Sequence, residues 1–167
     1  MENNRKIIVI QANSLAGENG QIFWLFSKNQ LELVIKEIDP TSVTSADPCF
    51  DATIAWQGEN LPVVRLEKYF ALPETSLNPP ARYLILKGAV QEEQGVQAAR
   101  IAIPIFAEMK LGSLTFAGKS LAPGFLKTNN QDILGSYELA GGKVVVVPDI
   151  GRIAMAGRAA LTSQERR

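Results

Sequence analysis

One pattern occurs twice in this chain, and it restricts the fold more than any other feature. Thr53-Ile54-Ala55-Trp56 is apolar and extended in character, and Gly58-Glu59-Asn60 supplies turn chemistry. Leu61 to Leu66 returns as a β-branched, apolar strand, and Leu66 to Phe70 opens one amphipathic turn of helix. Gly and Asn tolerate positive φ, and Val-Val runs favour a pleated, half-buried surface. The same grammar returns at Glu138 to Ile153: a strand end, Gly141-Gly142, the strand Val144 to Val147, then Pro148-Asp149-Ile150 opening a helix. Gly58 matches Gly142, Leu66 matches Ile150, and Tyr69 matches Ile153. A hairpin that ends in a helical turn, used twice, predicts two similar β-units in one chain. Pro62 cannot donate to a ladder, so its strand is expected at a sheet edge, or Pro62 at the strand's first residue.

The remaining segments agree with a β-class fold. Ile22 to Phe26 is apolar on both alternations and suits a strand buried on both faces. Ser27 to Gln30 reads as a hairpin turn into Leu31 to Lys36, a half-buried strand antiparallel to it. Asp39 to Phe50, rich in Ser, Thr, Asp and Pro, is a loop, and Ala71 to Arg82, with three prolines, is the best linker. Tyr83 to Lys87 and Val96 to Ile103 form a pair of strands joined by the polar Val90 to Gly95 turn. Ile105 to Leu111 fits a short helix or a strand, and Gly112 to Asn130 an ordered irregular loop. Ile133 to Leu139 is a further strand, and Gly157 is expected to stop the helix that starts at Ile150. Roughly ten short strands with frequent Gly and Pro indicate an all-β barrel or sandwich.

Composition excludes whole classes of chemistry. There is no histidine, which removes Ser-His and Cys-His catalysis and imidazole metal sites together. Cys49 is the single cysteine, so neither an intrachain disulfide nor a Cys-based zinc site is available. Seventeen basic residues balance seventeen acidic ones, which argues against an electrostatic grip on nucleic acid. No apolar run approaches the roughly 20 residues of a membrane span, so no direct membrane insertion is expected. The N-terminus does not read as a signal peptide, and a cytoplasmic protein is the expectation. The strand Ile7 to Ile10 leads into a loop whose glycines, Gly17 and Gly20, fit no phosphate-binding spacing. Glu92-Glu93 reads as a solvated turn, and Asp149 as a helix N-cap rather than a catalytic acid. Trp56 fits either a core position or an exposed recognition aromatic.

Three stretches together resemble the CheW-like domain, the adaptor module of bacterial chemotaxis-type signalling. They are Phe23 to Phe26 with Leu31 to Ile38, Ile54 to Leu66, and Ile133 to Ile150, in the family's order and close to its spacing. The resemblance covers Gln21 to Met155, and implies three segments: an N-terminal extension of strand plus loop (1–20), the domain (21–155), and a C-terminal tail (156–167). It implies a mainly β fold of two SH3-like five-stranded β-barrels sharing a core, with a few short helices, no catalysis and no cofactor. Its implied partners are a histidine kinase regulatory domain, met at a barrel end, and the helical tip of a chemoreceptor, met in a groove between barrels. The positions this places at partner contacts are Ile35, Glu37, Trp56, Gln57, Gly58 and Arg65. Glu37 stands at the family's strand-end glutamate. Many members carry Asn-Leu-Arg-Gly where this chain has Ala55-Trp56-Gln57-Gly58, so the receptor-contacting Arg is Gln57 here. Arg65 occupies a position where aspartate is usual. Two other readings stand beside the adaptor: an array-forming relative that pairs only with similar barrels, and a small-ligand barrel using Asp149 and Glu37.

Overall fold

The computed structural model describes residues 6–16, 20–75, 79–106, 109–113, 119–120, 126 and 128–163. In chain order the strands begin with β1 (Lys6–Ala16), β2 (Gly20–Ser27), β3 (Leu31–Ile35), β4 (Thr41–Ser42), β5 (Ala52–Trp56) and β6 (Glu59–Val63). The helix α1 (Leu66–Tyr69) follows, then β7 (Arg82–Glu92), β8 (Gly95–Ile105), β9 (Met109–Ser113), β10 (Lys119–Ser120), β11 (Ile133–Leu139) and β12 (Lys143–Pro148). The chain's second helix is α2 (Ile150–Thr162).

The strands form two sheets, ordered β10-β11-β12-β2-β1-β9 and β4-β5-β6-β8-β7-β3. Set side by side, the two orders are the same sheet. In each, a hairpin (β11–β12 or β5–β6) adds in parallel to the second strand of a long hairpin (β1–β2 or β7–β8). An antiparallel edge strand, β9 or β3, closes the far side. Each sheet has five longer strands and one of two residues, a mainly β architecture of two barrel-like halves. The repeat read from the two hairpins is therefore a repeat of whole sheets. The second sheet is continuous in sequence, β3 to β8. The first is completed by strands from both ends of the chain, with β1 inside it between β2 and β9. Residues 6–16 are thus an integral strand, where the sequence reading set 1–20 apart as an extension.

The main core lies between the sheets. Ile8, Ile10, Trp24 and Phe26 come from one side, Leu84, Leu86, Ile101 and Ile103 from the other, with Ile150 and Ile153 of α2 between them. Burying each such side chain contributes about 1.5–3 kcal/mol, so the interface, not either barrel alone, carries most of the apolar stabilisation. Smaller clusters fill the halves themselves: Ile54, Val63, Tyr83 and Ala102 in one, Ile7, Leu25 and Val145 in the other. The helices cross over. α1 follows the β5–β6 hairpin of the second sheet but packs on β1, and α2 follows the β11–β12 hairpin of the first sheet but packs on β6, β7 and β8.

Four expectations change. β2 and β3 are not a hairpin: β2 pairs with β1 and β3 with β7. The turn between them, Lys28–Gln30, is a 3-10 turn with a capping box on Ser27, and it carries the chain from one sheet to the other. Pro62 is in an interior strand, not at an edge. Its register with Thr53, counted out from the turn, is a non-hydrogen-bonded pair, so its missing N–H faces β8. β6 meets β8 only at Val63 and Ala102, with Val64 N–H donating to the Ala102 carbonyl at 3.0 Å, so no ladder bond is lost. Gly157 does not stop α2, which runs on to Thr162 through residues expected as a tail. A Cβ at Gly157 would lie 2.8 Å from Pro62 Cγ and 2.9 Å from Phe50 Cε1, so glycine there allows close packing on the second sheet. Residues 105–111 resolve to strand at Met109, and the irregular loop expected over 112–130 falls largely outside the described residues.

Candidate functional site

The expected contact residues separate into two places on the second sheet. Ile35 ends β3, pairs with Tyr83 and packs on the Ile54–Val63–Tyr83–Ala102 cluster. Glu37, two residues on, is exposed and has no hydrogen bond or ion pair among the described residues. Arg65 is at the same end, just past β6. Its guanidinium pairs with Glu74 at 3.3 Å and stands 5.7 Å above the Phe106 ring. Near it lies an open hollow of about 540 Å³, bordered by Val63, Arg65, Lys68, Tyr83 and Pro104. Leu33, in the middle of edge strand β3, is 43% exposed, unusual for leucine in a fold this well buried. Burial raises the Tyr83 hydroxyl above its ordinary range, so it stays a neutral donor at this end.

Trp56, Gln57 and Gly58 are at the other end of β5 and β6, separated from Arg65 by about 15 Å of strand. Gln57 (φ 48°) and Gly58 (φ 79°) both have positive φ, the signature of a two-residue type I′ turn. Gly accepts this conformation freely, while Gln adopts it at a cost, and both side positions are exposed. Trp56 is half-buried beneath Arg100, whose guanidinium carbon is 5.6 Å from the ring centroid. The two alternatives for Trp56 resolve into a third: the ring is a platform for a cation.

Arg100 belongs to a cluster that the sequence reading did not find. Its Nε donates to Glu32 Oε2 at 3.0 Å, and Lys87 Nζ stands 3.6 Å from Glu32 Oε1. Glu32 comes from β3, Lys87 from β7 and Arg100 from β8, so only the sheet register unites them. The hydrogen bond from Arg100 holds the Glu32 carboxyl below its usual range, and the same bond raises the guanidinium. Beside the cluster runs an open groove of about 750 Å³ between the β5–β6 hairpin and the last turns of α2. Its lining includes Thr53, Glu59, Asn60, Arg100, Arg158 and Thr162.

The carboxylates weighed for chemistry do not meet. Asp149 caps α2, its Oδ1 accepting from Arg152 N–H at 3.2 Å, as its place before the helix implies. Glu37 follows β3 of the other sheet. Cys49 is half-buried and its thiol is pushed up to about 11, chiefly by desolvation and then by Asp47, the reverse of a reactive thiolate. Among the described residues no group of three or more Cys, Asp or Glu side chains could hold a metal ion. None of their helices is long and apolar enough to cross a membrane.

Two further polar groups bind the halves together. The buried Glu67 Oε1 accepts from Asn13 N–H at 2.8 Å and from Trp24 Nε1–H at 3.1 Å, joining α1 to β1 and β2. Asp132, also buried, accepts from the Tyr69 hydroxyl and pairs with Arg152 Nε at 2.9 Å. Burial and this bond to Asp132 raise the Tyr69 hydroxyl far above its ordinary range.

Comparison with known proteins agrees with this architecture. The sequence matches the family model of the CheW-like domain over residues 29–157. The fold is similar to the crystal structure of the scaffolding protein TtCheW from Thermoanaerobacter tengcongensis, with a TM-score of 0.62 at 15% sequence identity. The match covers 90% of this chain and 88% of that one. No curated protein matches the sequence.

Proposed function

Because the chain belongs to the CheW-like domain family, we propose that it is a non-catalytic adaptor of a chemotaxis-type or motility two-component pathway. In this reading it joins a histidine kinase to receptors by protein–protein contacts alone. The kinase regulatory domain docks at the barrel end that carries Ile35, Glu37 and Arg65. The chemoreceptor's helical tip meets the hairpin end that carries Trp56, Gln57 and Gly58. The observation that carries the proposal is the state of the β3 end. Leu33 is exposed in an edge strand, and Glu37 has no partner among the described residues. An apolar strand edge beside an uncompensated charge is suited to a partner that covers one and pairs with the other. Near the two clefts Glu32, Arg65, Lys68 and Arg100 are engaged in ion pairs, which fits a scaffold better than a catalyst.

The test is a pull-down with the kinase regulatory domain, comparing wild type with Glu37→Ala and Gln57→Arg. Capture weakened by Glu37→Ala and unchanged by Gln57→Arg supports the assignment of the kinase to the β3 end. Absence of capture by wild type refutes it. A second reading draws on Gln57, which stands where the resemblance places a receptor-contacting arginine. In that reading the chain is an array-forming relative that pairs only with similar barrels, and self-association without kinase capture would favour it.

A further inference from the structure

The groove between the β5–β6 hairpin and the end of α2 is lined by two arginines in different states. Arg100 is held from both sides, by its Nε bond to Glu32 and by the Trp56 ring beneath it. Its side chain is 29% exposed, and with Nε engaged its two terminal nitrogens are the free donors of the fork. Arg158, opposite on α2, is exposed and forms no ion pair among the described residues. Among the described residues its guanidinium makes one weak contact, Nη1 to Met155 Sδ at 3.9 Å. Thr53, Asn60 and Thr162 add hydroxyl and amide groups, and Leu61 and Pro62 form an apolar floor. Glu59 is the one acidic residue of the lining. A fixed guanidinium costs less side-chain entropy on binding than a free one. With Glu32 and Lys87 of the adjoining cluster counted in, three cations (Lys87, Arg100 and Arg158) stand against two carboxylates (Glu32 and Glu59), which leaves one positive charge in surplus at the groove.

We propose that this groove docks a glutamate- or aspartate-bearing segment of a partner protein, with Arg100 as the preorganised anchor and Arg158 as the second cation. The apolar floor takes the segment's aliphatic side, and the arginine forks take its carboxylates. Trp56 acts as a positioning residue, since it holds Arg100 at the groove rim. Glu59 acts against the ligand and selects for segments with more than one acidic group. This rests on the adaptor reading only for the identity of the partner. The chemistry of the groove stands without it.

The test uses two synthetic amphipathic peptides, one with glutamates at i and i+4 and a twin with glutamines there, followed by anisotropy of a terminal dye. The glutamate peptide is expected to bind more tightly than its twin, and more weakly as salt rises. Arg158→Gln should weaken it about fivefold, and Glu59→Gln should tighten it about fivefold, the scale of a single well-exposed ion pair. Both positions are exposed, so neither exchange threatens the fold. Opposite effects of two surface exchanges separate docking from a loss of structure. Equal binding of the two peptides overturns the proposal, as does a Glu59→Gln variant that binds no better than wild type. Free glutamate that competes at the peptide's own concentration also overturns it, by marking a small-anion site instead. Failure here leaves the kinase capture test untouched, because that test reads Glu37 and Gln57.

Discussion

Removing the Glu67 side chain is predicted to loosen the junction between the two halves. The carboxylate is 4% exposed and its Oε1 accepts two bonds from the other sheet, Asn13 N–H at 2.8 Å and Trp24 Nε1–H at 3.1 Å. Trp24 in turn stacks on Phe70, centroids 5.7 Å apart, just past α1. Glu67→Ala removes the shared acceptor from both buried donors, at roughly 2 kcal/mol each, or about 4 kcal/mol in all. Glu67→Gln keeps a carbonyl oxygen in place and loses only the charge assistance, about 1–2 kcal/mol. Against a total stability of about 5–15 kcal/mol, the alanine variant stands near the margin. Urea unfolding followed by tryptophan fluorescence should show the midpoint falling in the order wild type, Gln, Ala, with an unchanged slope. The alanine variant should also melt on the order of 10 °C lower. If Ala and Gln variants agree within about 0.5 kcal/mol, the two bonds do not hold the halves together and the argument fails.

Three more outcomes follow from the same geometry. Gly88→Ala would put a Cβ 2.2 Å from Gly151 N and 2.5 Å from Gly151 Cα, backbone that cannot give way cheaply; it should displace α2 and cost about 3 kcal/mol or more, read by calorimetry. Ala71 has φ 54° in a Schellman cap, where Leu72 N–H donates to the Glu67 carbonyl at 2.7 Å and Ala71 N–H to the Lys68 carbonyl at 3.1 Å; Ala71→Gly should raise stability by about 0.5–1 kcal/mol in urea. Cys49 titrates at about 11 when folded against 9.0 in the absence of its surroundings, so at pH 8 the folded chain should alkylate roughly a hundredfold more slowly than the urea-unfolded one. Because that value is raised, the neutral thiol is the form the fold favours, and its contribution is complete below pH 9 and lost as pH climbs toward 11.

Much of the fold is legible in local sequence. Gly58 and Gly142 announced the paired hairpins, and their two flanking strands and helix starts appear where alternation placed them. What stayed hidden depends on distant pairing. β1 is an interior strand only because β9, about a hundred residues on, closes against it. The 3-10 turn at Lys28–Gln30 looks like any hairpin turn until β3 is seen to pair with Tyr83 to Leu86. Gly157 carries the sequence signal of a helix stop, yet its reason is a contact with Phe50 and Pro62, far away in the chain. The site follows the same division. Trp56 and the Gln57-Gly58 turn were visible as candidates, whereas Arg100 was one basic residue in a long strand. Its alternation with Ala99 and Ile101 would have shown that it faces away from the main core, but not that Glu32 and Trp56 await it there.

Hydrogen exchange of the chain, alone and mixed with a kinase regulatory domain, tests the central claim most directly. An adaptor that docks at the β3 end should gain protection at Leu31 to Glu37 and around Arg65, with the main core unchanged. Exchange that is identical with and without the kinase domain, or protection that depends only on the chain's own concentration, would contradict the account.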